Sequence, residues 1–374
     1  MKRLKKFVIV CTSINKCDDF FQKYYDNAKK FGRLDEVSLV LVCDLKTPKE
    51  INDVAKPFRN QGLDIEILNV GEQEEYLNKF PELKKLIPYN SDNRRNIGYL
   101  YAVDYGGEVI VSVDDDNFPI LEQDFYKGHS ICGTEIKATK ISSDNKWFNF
   151  LEFAKTDNKT RLYPRGFPHI RRHQKPKITQ HEDICKISIN AGFYVNNPDV
   201  DAITRIDNPA KIISYDLKKD YAADNGTFIC INSQNTSFAK KVLPCYYFIP
   251  QGQVIDGLKI DRFGDIWQGF FAKKCIDAKK EFVAFGAPIC YHERNTHSLF
   301  KDLSQELKAI ECTNYIAKFL EDTEITGDTY IQLYIDLAKK LPQYFSENYK
   351  EYQHIMSEIS KAMITWADCC KRIL

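Results

Sequence analysis

Residues 108–117 read EVIVSVDDDN, a β-branched apolar run that ends directly in three aspartates. A near-continuous apolar run is typical of a strand that is covered on both faces of a parallel sheet. In an open sheet of this kind, ligands bind beyond the carboxyl ends of the strands. The stretch therefore predicts an α/β fold, with Asp114, Asp115 and Asp116 at the ligand-binding edge of its sheet.

Upstream of this strand, strand-like and helix-like segments alternate. Three further strands are predicted from the apolar runs at 7–11 (FVIVC), 37–43 (VSLVLVC) and 64–70 (DIEILNV). Helices are predicted from the segments 18–30, 48–61 and 94–105, the last of which stops at Gly106-Gly107. This order favours a Rossmann-like, mixed but mostly parallel sheet with helices on both faces.

The chain changes character near residue 299. Residues 120–250 are less regular and include a basic loop at 161–177, whereas Leu299, Leu303, Leu307 and Ile310 recur at helical spacing. We therefore predict a catalytic domain over residues 1–298 and a C-terminal helical region over 299–374. The apolar stripe of this region is expected to pack on the core, with self-association into a homo-oligomer or a contact at a membrane edge as the alternatives.

The composition argues against several classes of protein. With 53 basic and 52 acidic residues, the chain carries a net charge of +1, which does not favour a nucleic-acid partner. No segment approaches the roughly 20 apolar residues of a membrane span, and the run at 7–11 is too short for a secretory signal. The 12 cysteines show no metal-binding spacing. These features predict a cytoplasmic protein with reduced thiols.

The acidic triplet is the main candidate for a metal and diphosphate site. Neighbouring carboxylates repel one another, and a divalent ion would offset that repulsion while also holding a diphosphate. Alternate residues of an extended segment face the same way, so Asp114 and Asp116 are predicted to share the ion. Asp115 is expected to point toward a sugar or a strand-end neighbour. A solvated acidic turn is the alternative.

Other polar residues are candidates because they too lie at the predicted ends of strands or at the start of a helix. Three residues at predicted strand ends are expected to border the nucleotide: Thr12, Ser13 and Asp44. The helix predicted from residue 94 begins with Arg94, Arg95 and Asn96. These residues are expected to bind a phosphate or the edge of a nucleotide. The alternative is an ordinary helix start. His292, in CYHERN, is expected to complete the metal coordination or contact the diphosphate, with a structural role as the alternative.

Two candidates are expected on the sugar side of the site. Asp265, in RFGDIWQGFF, could act as a general base or hold the sugar, and a simple helix N-cap is the alternative. Arg165, in YPRGFP, lies in a loop stiffened by prolines. A basic loop with aromatic residues can also bind RNA, which the neutral net charge disfavours.

The order of these motifs resembles the reversibly glycosylated polypeptide family, whose plant members include UDP-arabinopyranose mutases. The resemblance rests on the acidic triplet followed by RGFP (165–168), NAGFYVNNPDVDAITR (190–205), FGDIWQGFF (263–271) and ICYHERN (289–295). Residues 94–117 are also similar to the plant STELLO-type glycosyltransferase domain. Together the resemblances cover about residues 7–310.

The resemblance implies a GT-A type fold, a divalent metal (Mn²⁺, or Mg²⁺) bound at a DXD-type motif, and a UDP-linked sugar. Arg165 matches a family arginine implicated in reversible self-glycosylation, and Arg172 matches a second one. Asp265-Ile266-Trp267 and Tyr291-His292-Glu293 match further family segments. RGFPHIRR replaces the usual RGYPFSLR, so mutase activity on arabinose is less strongly implied than the fold and the metal site.

The leading functional hypothesis is a metal-dependent glycosyltransferase that uses a nucleotide-activated, UDP-linked sugar. Its acceptor would be a glycan, as in polysaccharide biosynthesis, a glycolipid or a protein. The first alternative is a UDP-sugar pyranose/furanose mutase or self-glycosylating protein, in which Arg165 takes the sugar transiently. The second alternative is an inactive scaffold on the same fold.

Overall fold

The computed structural model describes residues 3–250, 252, 254–295 and 298–374. The strands are β1 Phe7–Ser13, β2 Val37–Cys43, β3 Asp64–Leu68, β4 Val109–Asp114, β5 Asn117–Pro119, β6 Glu135–Ser143, β7 Ala154–Thr156, β8 Ile178–Asn196, β9 Ile212–Tyr215, β10 Tyr221–Ala223, β11 Asn235–Ala239, β12 Val254–Ile255, β13 Leu258–Lys259 and β14 Phe282–His292. The helices are α1 Asp18–Lys30, α2 Ile51–Asn60, α3 Val70–Leu77, α4 Pro81–Lys84, α5 Arg95–Asp104, α6 Phe125–His129, α7 Ala202–Asp207, α8 Gly264–Ala278, α9 Leu299–Asp322, α10 Tyr330–Asn348 and α11 Gln353–Cys370.

The main sheet has the strand order β3-β2-β1-β4-β11-β8-β6-β10-β14-β5. The first four strands in this order pair in parallel. Beyond β4 the sheet is mixed, because β11 runs antiparallel to β4 and β8 whereas β14 runs parallel to β8. The predicted α/β class is confirmed, with a Rossmann-like sheet covered by helices and a C-terminal helical region.

The central strands are covered on both faces, as their apolar sequences predict. Val8 and Val10 face a core that includes α5, while Phe7 and Ile9 face a second core that includes α1. Gly98 allows α5 to lie directly on the sheet, since a Cβ there would come within 2.5 Å of Val10 Cγ1. This close approach brings the start of α5 to the carboxyl ends of β1 and β4.

Several predicted boundaries shift for local reasons. The strand predicted over 64–70 ends at Leu68, because Asn69 caps α3 in a capping box with Glu72. The helix predicted from residue 48 begins at Ile51. The apolar run 246–249 is buried without forming a strand. These changes leave the predicted order of β1 to β4 intact.

The C-terminal helices pack against the sheet domain. One hydrophobic core cluster joins residues of the sheet, α8 and α9 to α11. Trp366 Nε1 donates to the carbonyl of Leu243 at 2.9 Å, and Trp267 Nε1 donates to Thr313 Oγ1 at 2.9 Å. Core packing of this region is therefore confirmed, although the division at residue 298 stays a prediction.

The face of α9 that packs inward differs from the predicted stripe. Ile310 is buried, but Leu307 is 54% exposed, and Asp302 and Glu306 are buried instead. The helix is rotated relative to the expected orientation because two carboxylates on it bind arginines of the sheet domain. The predicted placement of Leu307 in the core is wrong.

Two further expectations concern thiols and membranes. All 12 cysteines are free and buried. Among the described residues, no helix has the length and apolar character that crossing a membrane requires.

Candidate functional site

The carboxyl ends of β1, β2 and β4 open onto a cleft with two chambers. The first chamber has a volume of about 590 Å³ and is lined mainly by these strand ends and the segment 90–95. The second chamber, of about 220 Å³, is lined by residues from the segments 199–205, 262–265 and 292–306. Four residues line both chambers and form what we call the junction: Asp92, Arg95, Asp114 and Asp116.

The predicted site residues divide between the chambers. Those that line the first chamber are Thr12, Ser13, Asp44, Arg94, Arg95, Asp114, Asp115 and Asp116. Those that line the second are Arg95, Arg165, Asp114, Asp116, Asp265 and His292. Asn96 and Arg172 line neither chamber.

Arg95 fixes Asp114 at the junction. Its Nη2 lies 2.6 Å from Asp114 Oδ1 and also donates to Thr12 Oγ1 at 3.0 Å. Nη1 donates to the carbonyl of Ser233 at 3.0 Å. Burial raises the pKa of Asp114 to about 6, and the positive charge of Arg95 limits that rise. Arg95 therefore sets the orientation of the carboxylate rather than projecting freely into the cleft.

Asp115 turns toward the end of β1. Ser13 Oγ donates a hydrogen bond to Asp115 Oδ2, and Asn15 Nδ2 donates to the same oxygen at 2.8 Å. Burial raises the pKa of Asp115, and these two hydrogen bonds oppose that effect. Asp115 thus has the strand-end neighbour that was one of its two predicted partners. Asn15 was not predicted, although it lies two residues after Ser13, the last residue of β1.

Asp116 and His292 face each other across a gap. Asp116 Oδ2 lies 3.7 Å from His292 Nε2, which is too long for a hydrogen bond. His292 Nδ1 donates to the carbonyl of Asn197 at 2.7 Å, which leaves Nε2 as the ring nitrogen that faces Asp116. Burial would raise the pKa of Asp116, but proximity to His292 outweighs it and the pKa is lowered.

These contacts test whether a divalent ion fits. Within the part of the chain that the structure describes, no three His, Cys, Asp or Glu side chains form a closed ligand set. Asp116 and His292 lie together, whereas Asp114 is held by Arg95. Ions such as Mg²⁺ are often held by one or two carboxylates while substrate phosphates and water complete the shell. The residues therefore fit a divalent ion that takes one or two ligands from the protein and the others from a diphosphate and water.

Arg165 lies between two buried carboxylates of the second chamber. Its Nε donates to Asp199 Oδ1 at 2.7 Å, and its Nη2 donates to Asp265 Oδ2 at 2.9 Å. Nη1 donates to the carbonyl of Arg262. Burial works against the charged form, but the two carboxylates raise the pKa of Arg165 well above its ordinary value. The guanidinium is thus held in its charged form.

The local sequence explains how Arg165 reaches α8. Gly166 has φ +87°, and a Cβ there would lie 2.2 Å from Ile266 Cγ2, so glycine permits both the turn and the contact. Phe263 is the N-cap of α8, and Asp265 makes no capping hydrogen bond. The N-cap alternative for Asp265 is therefore wrong, because its carboxylate is used by Arg165.

Three other predicted residues have supporting contacts. Asn96 exchanges two hydrogen bonds with the backbone of Phe248, a residue that lines the second chamber. Arg172 binds Asp201, the N-cap of α7. Asp44 accepts from the backbone N–H of Ser91 at 3.0 Å. Each of these residues holds a segment that shapes the cleft.

The structure also brings in residues that the sequence reasoning missed. The second chamber includes Asp199, Arg205, Arg262, Arg294, Asp302 and Glu306. Asp302 and Glu306 are four residues apart and share one face of α9, but the predicted apolar stripe did not place that face against the core. The pairing of Asp199 with Arg165 left no signal in the local sequence.

Comparison with known proteins identifies the family. The family model for reversibly glycosylated polypeptides matches residues 5–373. The chain belongs to the reversibly glycosylated polypeptide family. The match extends beyond the expected limit near residue 310, so the C-terminal helices are part of the region that family members share.

Two plant relatives of this chain carry the name UDP-arabinopyranose mutase. The chain is 24% identical over 285 residues to UDP-arabinopyranose mutase 2 of Arabidopsis thaliana, covering 75% of this chain and 72% of the relative. It is 24% identical over 352 residues to the probable UDP-arabinopyranose mutase 2 of Solanum tuberosum, covering 93% and 84%.

Solved structures resemble this family member more weakly. TarS 1–349 of S. aureus in complex with UDP-GlcNAc matches with a TM-score of 0.42 and 11% identity, covering 98% of this chain and 90% of that one. The mannosyltransferase PcManGT of Pyrobaculum calidifontis, in complex with GDP-Man and Mn²⁺, matches with a TM-score of 0.40 and 9% identity, covering 98% and 87%. At these TM-scores the likeness supports no statement about the site.

Proposed function

We propose that this chain binds a UDP-sugar and acts as a mutase, breaking and re-forming the bond between the diphosphate and the anomeric carbon. The observation that carries the proposal is the junction, where Asp114 and Asp116 line both chambers. A diphosphate at the junction would place the nucleotide in the first chamber and the sugar in the second. The names of the curated relatives support the mutase over other reactions of the same substrate.

The charged groups of the cleft suit that reaction. Asp116 and His292 would hold Mn²⁺ or Mg²⁺, which, when bound, neutralises negative charge on the diphosphate. Asp199 and Asp265 line the sugar side, where carboxylates stabilise positive charge that develops at an anomeric carbon. Arg165 holds both carboxylates in place through paired hydrogen bonds. Preorganised charges of this kind do not have to reorient during the reaction.

Glycosyl transfer to a glycan, glycolipid or protein acceptor is the second candidate function. The observation that favours it is the charged wall that α9 adds to the second chamber, through Asp302 and Glu306. The contacts of Arg165 support self-glycosylation at that residue less well. Its guanidinium donates to two carboxylates, and a charged arginine is a poor nucleophile.

The test is the loss of metal-dependent turnover in Asp116→Asn. The purified wild type is incubated with a panel of UDP-sugars and Mn²⁺, and products are separated by chromatography. We expect an isomeric UDP-sugar, and at least a hundredfold lower rate in Asp116→Asn, because the variant loses a ligand of the ion, and losing one group that stabilises the charge of a departing group costs about two to three orders of magnitude. Asp53→Asn, an exposed carboxylate on α2, is the control.

The products separate the candidates. Free UDP together with a glycosylated acceptor would favour transfer over the mutase reaction. A sugar-sized mass adduct that disappears in Arg165→Ala would favour self-glycosylation. If no UDP-sugar is bound or converted with Mn²⁺ present, the proposal is wrong and the inactive scaffold remains.

A further inference from the structure

We propose that Arg205 and Arg294 form a subsite for an oxyanion that the substrate carries in addition to its own diphosphate. The oxyanion would be a carboxylate on the sugar or a phosphate on an acceptor. The inference rests on the proposed function, since it assigns a substrate class to the second chamber. It concerns a wall of that chamber that the described mechanism does not use.

Arg205 enters the chamber from α7 without a carboxylate partner. Its Nη2 donates to the carbonyl of Pro198. In the described residues, 3–250, 252, 254–295 and 298–374, no carboxylate lies within ion-pair distance of its guanidinium. By contrast, the other four arginines of the chamber are each paired with an acidic side chain. Arg205 is therefore the cation with the greatest capacity left for a ligand.

The neighbouring carboxylates are already engaged. Asp302 Oδ2 lies 2.7 Å from Arg294 Nη2, and Asp302 Oδ1 lies 3.3 Å from Arg262 Nη1. Glu306 Oε1 lies 3.1 Å from Arg262 Nε, while its Oε2 accepts from the backbone N–H of Ala202 at 2.7 Å. Arg262 and Arg294 thus use both carboxylates of this wall, and neither carboxylate is paired with Arg205.

A guanidinium that is buried without a paired carboxylate is costly to the folded protein unless a counter-charge arrives. Burial, and then the positive charge of Arg294, lower the pKa of Arg205 to about 10. An anion bound beside Arg205 would favour the charged guanidinium and so oppose both the effect of burial and the repulsion from Arg294. Arginine suits this role because its planar, fork-shaped donors match the oxygens of a carboxylate or a phosphate.

The position of Arg205 separates this subsite from the nucleotide's diphosphate. Arg205 and Arg294 line the second chamber and do not line the first. The first chamber has its own cationic side chains, including Lys46 and Arg94. The oxyanion is therefore expected on the far side of the junction, on the sugar or on its acceptor.

The experiment compares ligands that differ by one negative charge. Dissociation constants are measured by calorimetry, with Mn²⁺ present, for UDP, UDP-glucose and UDP-glucuronate, and for inorganic phosphate added to the UDP complex. If the anion is on the sugar, we expect wild type to bind UDP-glucuronate about tenfold more tightly than UDP-glucose. If the anion is on an acceptor, inorganic phosphate binds the UDP complex instead.

The variant Arg205→Gln tests the residue. It should abolish the preference for UDP-glucuronate or the binding of phosphate, while the affinities for UDP and UDP-glucose remain within twofold of wild type. Arg161→Gln, an exposed arginine that lines neither chamber, should retain the wild-type pattern.

Two results would overturn the inference and leave the proposed function standing. One is binding of UDP and UDP-glucose with no preference for the anionic ligand and no phosphate binding. The other is an equal loss of affinity for UDP and all UDP-sugars in Arg205→Gln, which would assign the residue to the diphosphate. Failure of wild type to bind UDP at all would instead overturn the proposed function, and this inference with it.

Discussion

At the scale of single residues, Arg165 is the shared counter-charge of two carboxylates in the second chamber. It binds Asp199 and Asp265, and both carboxylates are buried. The pKa of Asp199 is lowered, because the charge of Arg165 and hydrogen bonds from Arg165 and Asn232 outweigh the effect of burial. Asp199 therefore stays ionised in the second chamber.

Removing this arginine should destabilise the fold as well as the site. In Arg165→Ala, two buried carboxylates lose their counter-charge, and breaking a buried ion pair in this way costs about 3–5 kcal/mol. The free energy of unfolding, measured by urea titration, should fall by about that amount at pH 7.

The matched control is Arg161→Ala, which removes an exposed pair with Glu152 and should cost at most about 1 kcal/mol. Equal stability of Arg165→Ala and wild type would contradict the charge balance described for the second chamber.

At the scale of elements, Glu281 joins three parts of the chain just before β14. Its carboxylate accepts from Tyr330 Oη of α10 at 2.7 Å, from Ser188 Oγ of β8, and from Lys241 Nζ at 2.7 Å. Burial raises its pKa, but these hydrogen bonds prevail and lower the pKa to about 2. One side chain thus links the C-terminal helices to the sheet.

This contact should make stability depend on pH. The pKa of Glu281 is lower in the folded state than its ordinary value of 4.5, so the unfolded chain binds the proton more readily. The stabilisation is present above about pH 5 and is lost as the pH falls toward 2. We expect Glu281→Gln to be less stable than wild type by roughly 2 kcal/mol at pH 7, allowing for partial solvent screening.

The measurement is the difference in unfolding free energy between wild type and Glu281→Gln at several pH values from 7 to 3. The difference should shrink steadily below pH 5. Glu135→Gln, an exposed carboxylate on β6, should show no comparable trend. A difference that stays constant with pH would show that Glu281 gains no charge-dependent stabilisation from its partners.

At the scale of the whole molecule, the helical region and the sheet domain share one core and one cleft. Trp366 of α11 stacks on Tyr247 with a centroid distance of 5.1 Å, and Tyr247 lies in the same core cluster as the sheet. α9 supplies Asp302 and Glu306 to the second chamber. The two regions are therefore expected to unfold together.

A chain cut after residue 298 tests this expectation. Removing α9 to α11 exposes a large apolar face and leaves Arg262 without its carboxylates, so the fragment should show no cooperative thermal transition and no UDP binding. Circular dichroism and calorimetry are the measurements, and removal of Leu374 alone is the control. A fragment that unfolds cooperatively and binds UDP would show that 1–298 is an independent domain.

The order of strands and helices along the chain could be predicted because short apolar runs and helical spacing identify each element locally. The apolar runs of β1, β2 and β4 identify buried parallel strands, and a strand that runs straight into Asp114 places that residue at the sheet edge. Helical spacing likewise identified the C-terminal helices, although not the face of α9 that packs inward. Each of these signals is contained in a short, continuous stretch of the chain.

The sequence by itself therefore determined the order of β1 to β4 and their helices along the chain, the acidic edge and the helical tail. Only the tertiary structure decided the partners: Arg95 for Asp114, Arg165 for Asp199 and Asp265, and α9 for the wall of the second chamber. The physical reason is distance along the chain. Arg165 and Asp265 are 100 residues apart, and their contact depends on how α8 and a glycine-containing loop pack, which no local period encodes.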